Sequence, residues 1–212
     1  VHDPAIASFD RVRAMFSLVD RADVGDAFAL ELARLAAPLT DDSKSKAEHL
    51  TARHALLALG MMSGRKPNRE DIKKIAVAAV EDALAKAPNA IIASPAYGAL
   101  MNIGDPALLS LIEDIPDHPD FSTREVAAIA MRRMPPSETA EFTRRWLVKE
   151  KDWRVKITLY HSLELQTFAA QEMTSREVIE LAIADLEKRP GAITRKALAR
   201  LLGRATLEMA PE

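Results

Sequence analysis

The chain has 212 residues, 48% of them hydrophobic and 28% charged, with a formal net charge of −2. This is the composition of an ordinary folded domain, not of a disordered or membrane-embedded chain, and its charge argues against holding nucleic acid by bulk electrostatics. With no cysteine, disulfides, zinc–thiolate centres and thiol nucleophiles are excluded.

Aromatics make up only 5% and glycine only 7 residues, while Ala and Leu abound, so helices packed through small side chains are expected rather than sheets. No run of 18 apolar residues predicts a membrane span, and no signal peptide is visible. The chain begins at Val1 rather than Met, which fits a processed product or an excised fragment; the compartment is left open.

In chain order, helices are expected at about 8–19 and 24–37, capping (over 1–39) a repeat array that spans 47–212. Residues 40–46 (TDDSKSK) read as a short polar linker. Five inner helices follow the same pattern: 51–62 (TARHALLALGMM), 92–104 (IASPAYGALMNIG), 122–134 (STREVAAIAMRRM), 152–163 (DWRVKITLYHSL) and 193–203 (ITRKALARLLG). Their anchors Ala55, Ala96, Ala127, Ile157 and Ala197 are 41, 31, 30 and 40 residues apart, as paired-helix repeats with variable loops would be.

Outer helices are expected at 71–86, 107–114, 138–150 and 176–188. The first places Ile72, Ile75, Ala76, Ala79, Val80, Ala83 and Leu84 on one face. Caps are expected at Asn68 with Asp71, Ser122 with Glu125 and Thr174 with Glu177. Stops are expected at Gly60, Gly64, Pro88, Pro116, Pro119, Pro135-Pro136 and Pro190-Gly191. The sharpest punctuation is MNIGDP at 101–106. There a helix closes on Ile103-Gly104, Asp105 caps the next helix, and Pro106 takes its first position, where a missing N–H costs nothing.

The Ala-x-x-Ala-Leu core with its Ile-Gly-Asp-Pro turn at 96–106, and the Thr-Arg start at Thr123-Arg124, resemble HEAT repeats. The resemblance covers roughly residue 47 to the end and implies an all-α, right-handed α-α superhelix of about five helix pairs, an armadillo-type scaffold that binds proteins. More narrowly, ALLALGMMSGR, ALMNIGDPALLSLIEDI with STREVAAIAMRRMP, and DWRVKITLYHSLE resemble the helical domain of large lipid transfer proteins, the vitellogenin and microsomal triglyceride transfer group. That family's β-barrel, lipid-bearing sheets and cysteines have no counterpart here, so lipid carriage is expected only with additional domains.

Catalytic signatures are sparse. The histidines, His2, His49, His54, His118 and His161, lack metal-ligand spacing, and no His-Glu dipeptide occurs, which excludes a HEAT-type di-iron hydroxylase. There is no Gly-x-Ser-x-Gly elbow, Walker loop or Gly-x-Gly-x-x-Gly. The acidic run Asp105, Glu113, Asp114, Asp117 and Asp120 reads as caps and a solvated loop, and the basic ridge Lys188, Arg189, Arg195, Lys196, Arg200 and Arg204 as an exposed face. Met61, Met62, Met131, Met134 and Met173 read as core filling.

Trp146 and Trp153 flank a basic segment, Arg144, Arg145, Lys149, Lys151, Arg154 and Lys156. Asp152 beside Trp153 is faintly similar to the tryptophan–aspartate pair of HEAT-like alkylpurine DNA glycosylases, though Glu138, Glu141, Glu150 and Asp152 dilute the charge, and both rings are expected to pack structurally. The sequence therefore points to a non-catalytic scaffold with no cofactor or metal. It would bind a protein partner on a concave face through Arg124, Arg132, Arg133, Arg154, Lys156 and Trp153. A lipid-transfer module is the alternative, and a DNA glycosylase the third.

Overall fold

The computed structural model describes residues 4–21, 23–170, 172, 174–188 and 191–208, with side chains between residues 10 and 203. His2, Met173, Arg189, Pro190 and the side chain of Arg204 therefore lie outside the described residues. Among the described residues every regular element is helical, which establishes the all-α class. No helix among them is long and apolar enough to cross a membrane. The chain divides into two compact units, one ending at Ile103 and the other beginning at Gly104, within the MNIGDP phrase.

The first unit holds α1 (Pro4–Val19), α2 (Asp26–Ala36), a 3-10 turn (Ala37–Thr40), α3 (Lys46–Arg65), α4 (Glu70–Lys86) and α5 (Ala90–Ile103). Helix α3 is its centre and packs on α1, α2, α4 and α5, while α2 also packs on α4. The stripe predicted on α4 is real: Ile72, Ala76, Val80 and Ala83 are buried at helical spacing.

Two expectations in this unit are corrected. Gly60 and Gly64 are not stops, because α3 runs through both to Arg65. They are the positions where its backbone lies against α5, with Ala99 opposite Gly60 and Asn102 opposite Gly64. Asn68 does not cap α4: the preceding residue is Arg69, whose side chain makes no capping bond and instead pairs with Asp71. The box that forms lies upstream, at Ser45 and Glu48. Ser45 Oγ accepts from the Glu48 amide at 3.3 Å, and the Ser45 amide donates to Glu48 Oε2 at 2.9 Å.

The second unit opens on Gly104, whose φ of +69° is the left-handed geometry a glycine supplies after a helix. Asp105 then caps as expected, accepting from the Ala107 amide at 2.9 Å with Pro106 at the first position. The segment it starts is 3-10 helix (Pro106–Ile112), not the α-helix expected at 107–114. A short 3-10 turn (Ile115–Asp117) leads to α6 (Phe121–Ala127), which tightens into 3-10 helix over Ala128–Arg133.

That split also corrects a prediction of one helix at 122–134, and Pro135 accounts for its end. A residue before proline is driven to extended backbone, and Met134 has φ −80° and ψ 145°. The cap of α6 is Asp120, which accepts from the amides of Ser122 and Thr123 at 3.1 Å each, not Ser122 with Glu125. Helices α7 (Pro136–Lys149), α8 (Trp153–Ala170), α9 (Arg176–Glu187) and α10 (Ala192–Glu208) follow. Ser175, one residue beyond the predicted Thr174, caps α9. Helix α8 is central, packing on α6, the Ala128–Arg133 segment, α7 and α10, while α9 packs on α7 and α10.

Candidate functional site

In the second unit the loop before α8, the first turns of α8, the end of α9 and the start of α10 enclose an open cleft of about 850 Å³. Its lining comprises Glu150, Lys151, Trp153 and Lys156 from the loop and α8, and Asp185, Lys188 and Gly191 to Thr194 from the end of α9 and the start of α10. Two large apolar side chains stand in it unburied, Trp153 at 56% and Ile193 at 64% exposure. The indole of Trp153 has no ring or guanidinium partner among the described residues.

Glu150 anchors the loop. Its side chain is only 1% exposed and takes a two-pronged bond from Arg124, Nε to Oε2 at 2.8 Å and Nη2 to Oε1 at 3.0 Å. The buried Trp146 indole donates to Oε2 at 3.3 Å, and the amides of Lys151 and Asp152 donate to Oε1 at 3.0 and 2.9 Å. Burial pushes the Glu150 carboxyl up, but the Arg124 guanidinium and these amides outweigh it and hold it below the usual carboxylate range.

Asp185 is the second anchored carboxylate of the lining. It accepts from Lys156 Nζ at 2.6 Å, Tyr160 Oη at 2.7 Å and Lys188 Nζ at 2.7 Å. Burial acts to raise its pKa, yet the three donors bring it down to about 2. The Tyr160 hydroxyl is pushed up by burial and by that same bond.

At the start of α8, Asp152 accepts from the Arg154 amide at 2.9 Å and from its guanidinium at 2.7 Å; that guanidinium lowers the Asp152 carboxyl to about 2. A carboxylate so firmly ionised is a poor proton acceptor, which weighs against the glycosylase-type role for Asp152. Both Asp152 and Asp185 have folded pKa values below the unfolded ~3.9. Their stabilisation is therefore complete above pH ~4 and lost as pH falls towards 2. Thermal melts across pH 4 to 2 should show a falling midpoint, with a shallower slope in Asp185→Asn; equal slopes would refute the assignment.

The six residues singled out from the sequence differ in their surroundings. Trp153 and Lys156 line the cleft. Arg124 lies behind it, 15% exposed and bound to Glu150 and to the carbonyls of His118 and Pro119. Arg154 is paired with Asp152 and lies 3.5 Å over the Phe121 ring. Arg132 is half-buried against Ser162 Oγ at 3.3 Å, its pKa lowered by burial, and Arg133 is exposed. Of the two tryptophans only Trp146 packs as expected, fully buried beside Phe142; Trp153 does not.

Three more cations of the basic segment are tied down on the surface, Arg144 and Arg145 to Glu141 and Lys149 to Asp117, while Lys151 makes no ion pair among the described residues. Met62, Met131 and Met134 fill the core. Arg195, Lys196 and Arg200 are exposed, in line with the ridge reading. Among the described residues no group of three His, Asp or Glu could hold a metal ion. Asp185 and Ile193 were not legible as site residues, being 32 and 40 residues downstream of Trp153 on other helices, and Lys188 stood out only as part of the basic ridge. The Lys156–Asp185 pair does span 29 residues, close to the repeat period, which is the one signal that could have found it. Comparisons with protein-family models, with curated proteins and with solved structures give no match for the chain.

Proposed function

We propose that this chain is a HEAT-type helical repeat module that binds a protein partner and carries no catalysis of its own. Support for the repeat reading comes from packing between every second element: α1 on α3, α2 on α4 and α3 on α5 in the first unit, and α6 on α8, α7 on α9 and α8 on α10 in the second. The observation that carries the binding reading is the cleft itself. Its charged lining at Glu150, Lys156 and Asp185 is fixed by internal ion pairs, while Trp153 and Ile193 are left exposed above it. An exposed tryptophan over a rigid frame is the kind of anchor that dominates protein interfaces, because little ordering is needed on binding.

The test is a photo-crosslinking side chain at position 193, irradiated in an extract of the source cells. A polypeptide adduct should form, disappear in Trp153→Ala and be absent when the crosslinker replaces Ile91, which is 80% exposed in the first unit. Trp153→Ala should shift stability by no more than about 1 kcal/mol, since the ring is mostly in water. Equal adducts from positions 91 and 193, or none from 193, would remove the reading.

A further inference from the structure

Resting on the cleft as a protein-binding site, we infer that its occupant is an acidic peptide segment in which carboxylates alternate with large apolar side chains. The argument is the imbalance of charge inside the cleft. Glu150 is already matched by Arg124, so three ammonium groups, Lys151, Lys156 and Lys188, face a single remaining carboxylate, Asp185. Lys151 makes no ion pair among the described residues, and Lys188, though bonded to Asp185, keeps a largely exposed side chain.

A cleft with surplus positive charge in a chain of net charge −2 is a local feature, not a reflection of the whole surface. Trp153 on α8 and Ile193 on α10 supply the apolar half of the site. Carboxylates on the ligand would meet Lys151 and Lys188 while its apolar side chains cover the two exposed groups. Basic ligands would instead leave the lysines unmatched and add like charge, which complementary interfaces avoid. A flat anionic membrane fits less well, because these groups line a cleft rather than a flat surface.

The intact protein should be titrated with fluorescently labelled Glu/Leu and Lys/Leu peptides of about ten residues, long enough to cross the cleft when extended. Anisotropy should report binding of the Glu/Leu peptide alone, weakening as salt rises. Trp153 emission should shift to the blue; Trp146, already buried, should contribute no change. The pair Lys151→Glu and Lys188→Glu should weaken binding about tenfold, as two reversed contacts in a partly exposed site would, with helicity unchanged. If Lys188→Glu loosens α9, Lys151→Glu alone should still cost about threefold.

Equal binding of the Lys/Leu peptide, unchanged affinity in the variants, or binding to phosphatidylglycerol vesicles without binding to the peptide would each overturn the inference. A persisting adduct at position 193 alongside failure of the Glu/Leu peptide would overturn the acidic partner and leave protein binding standing. Loss of both would remove both.

Discussion

Glu150→Ala should unfold the second unit more readily than any surface change, by about 3–5 kcal/mol, the cost of breaking a buried pair on one side. The carboxylate has five acceptor contacts: two from Arg124, one from the Trp146 indole and two from the amides of Lys151 and Asp152. Removing it leaves a largely buried guanidinium without its counter-charge and an indole N–H with no acceptor. The thermal midpoint should fall by on the order of 10 °C for a chain of this length. Exposed pairs such as Arg176 with Glu180 set the contrast, since breaking them should cost less than about 1 kcal/mol.

Arg124→Met combined with Glu150→Leu should recover much of the loss, because two apolar groups leave no stranded charge. Urea unfolding of the two single variants and the double variant measures the coupling. If Glu150→Ala costs no more than the Arg176 or Glu180 variants, the anchor has been misjudged. The same variants bear on the cleft, because Glu150 holds the loop that presents Lys151 and Trp153. Glu150→Ala should weaken peptide binding as well as stability, whereas Lys151→Glu should affect binding alone.

How much of this was written in the sequence differs between particular residues. The MNIGDP turn was legible because its chemistry is local: one residue needs a positive φ, the next offers a carboxylate to a free amide, and the third lacks an N–H. The caps at Asp120 and Ser175 were missed by one or two residues. Neighbouring Asp, Ser and Thr side chains compete for the same amides, and only the backbone angles decide between them. The 3-10 geometry of 128–133 was illegible, because its apolar pattern is that of an α-helix.

The site divides along the same line. Trp153 and Lys156 could be picked out as an aromatic beside a cation. Asp185 and Ile193 could not, because they reach the cleft only through the packing of α8 with α10 and of α10 with α9. Arg124 shows the converse. Its charge alone reads as a surface contact, and in the structure that charge is bound to a buried glutamate 26 residues away.

Gly60→Ala and Gly64→Ala should each destabilise the first unit by about 1–3 kcal/mol, although alanine is the better helix former. In an open helix the exchange favours folding by roughly 0.5–1 kcal/mol, since glycine loses more backbone freedom. At Gly60 a Cβ would lie 2.5 Å from the carbonyl oxygen and 2.8 Å from the Cα of Ala99. At Gly64 it would run into the carbonyl oxygen of Asn102. Both obstacles are backbone atoms of α5 and cannot rotate away, so α3 and α5 must separate along the contact that centres the unit.

Gly203 in α10 is the control, for among the described residues nothing stands within 4 Å of a Cβ placed there. Its replacement by alanine should stabilise by up to about 1 kcal/mol. Denaturant unfolding of the three variants should therefore give opposite signs from one chemical change. A Gly64→Ala protein as stable as the parent would mean that the two helices do not touch through their backbones. The loss should also spread: Leu56, Leu59 and Met62 on α3 and Leu100 on α5 are fully buried, and separating the helices would open gaps beside them. That cavity cost adds to the steric one, and because one separation of α3 from α5 relieves both clashes, the double variant should lose less than the sum of the two singles.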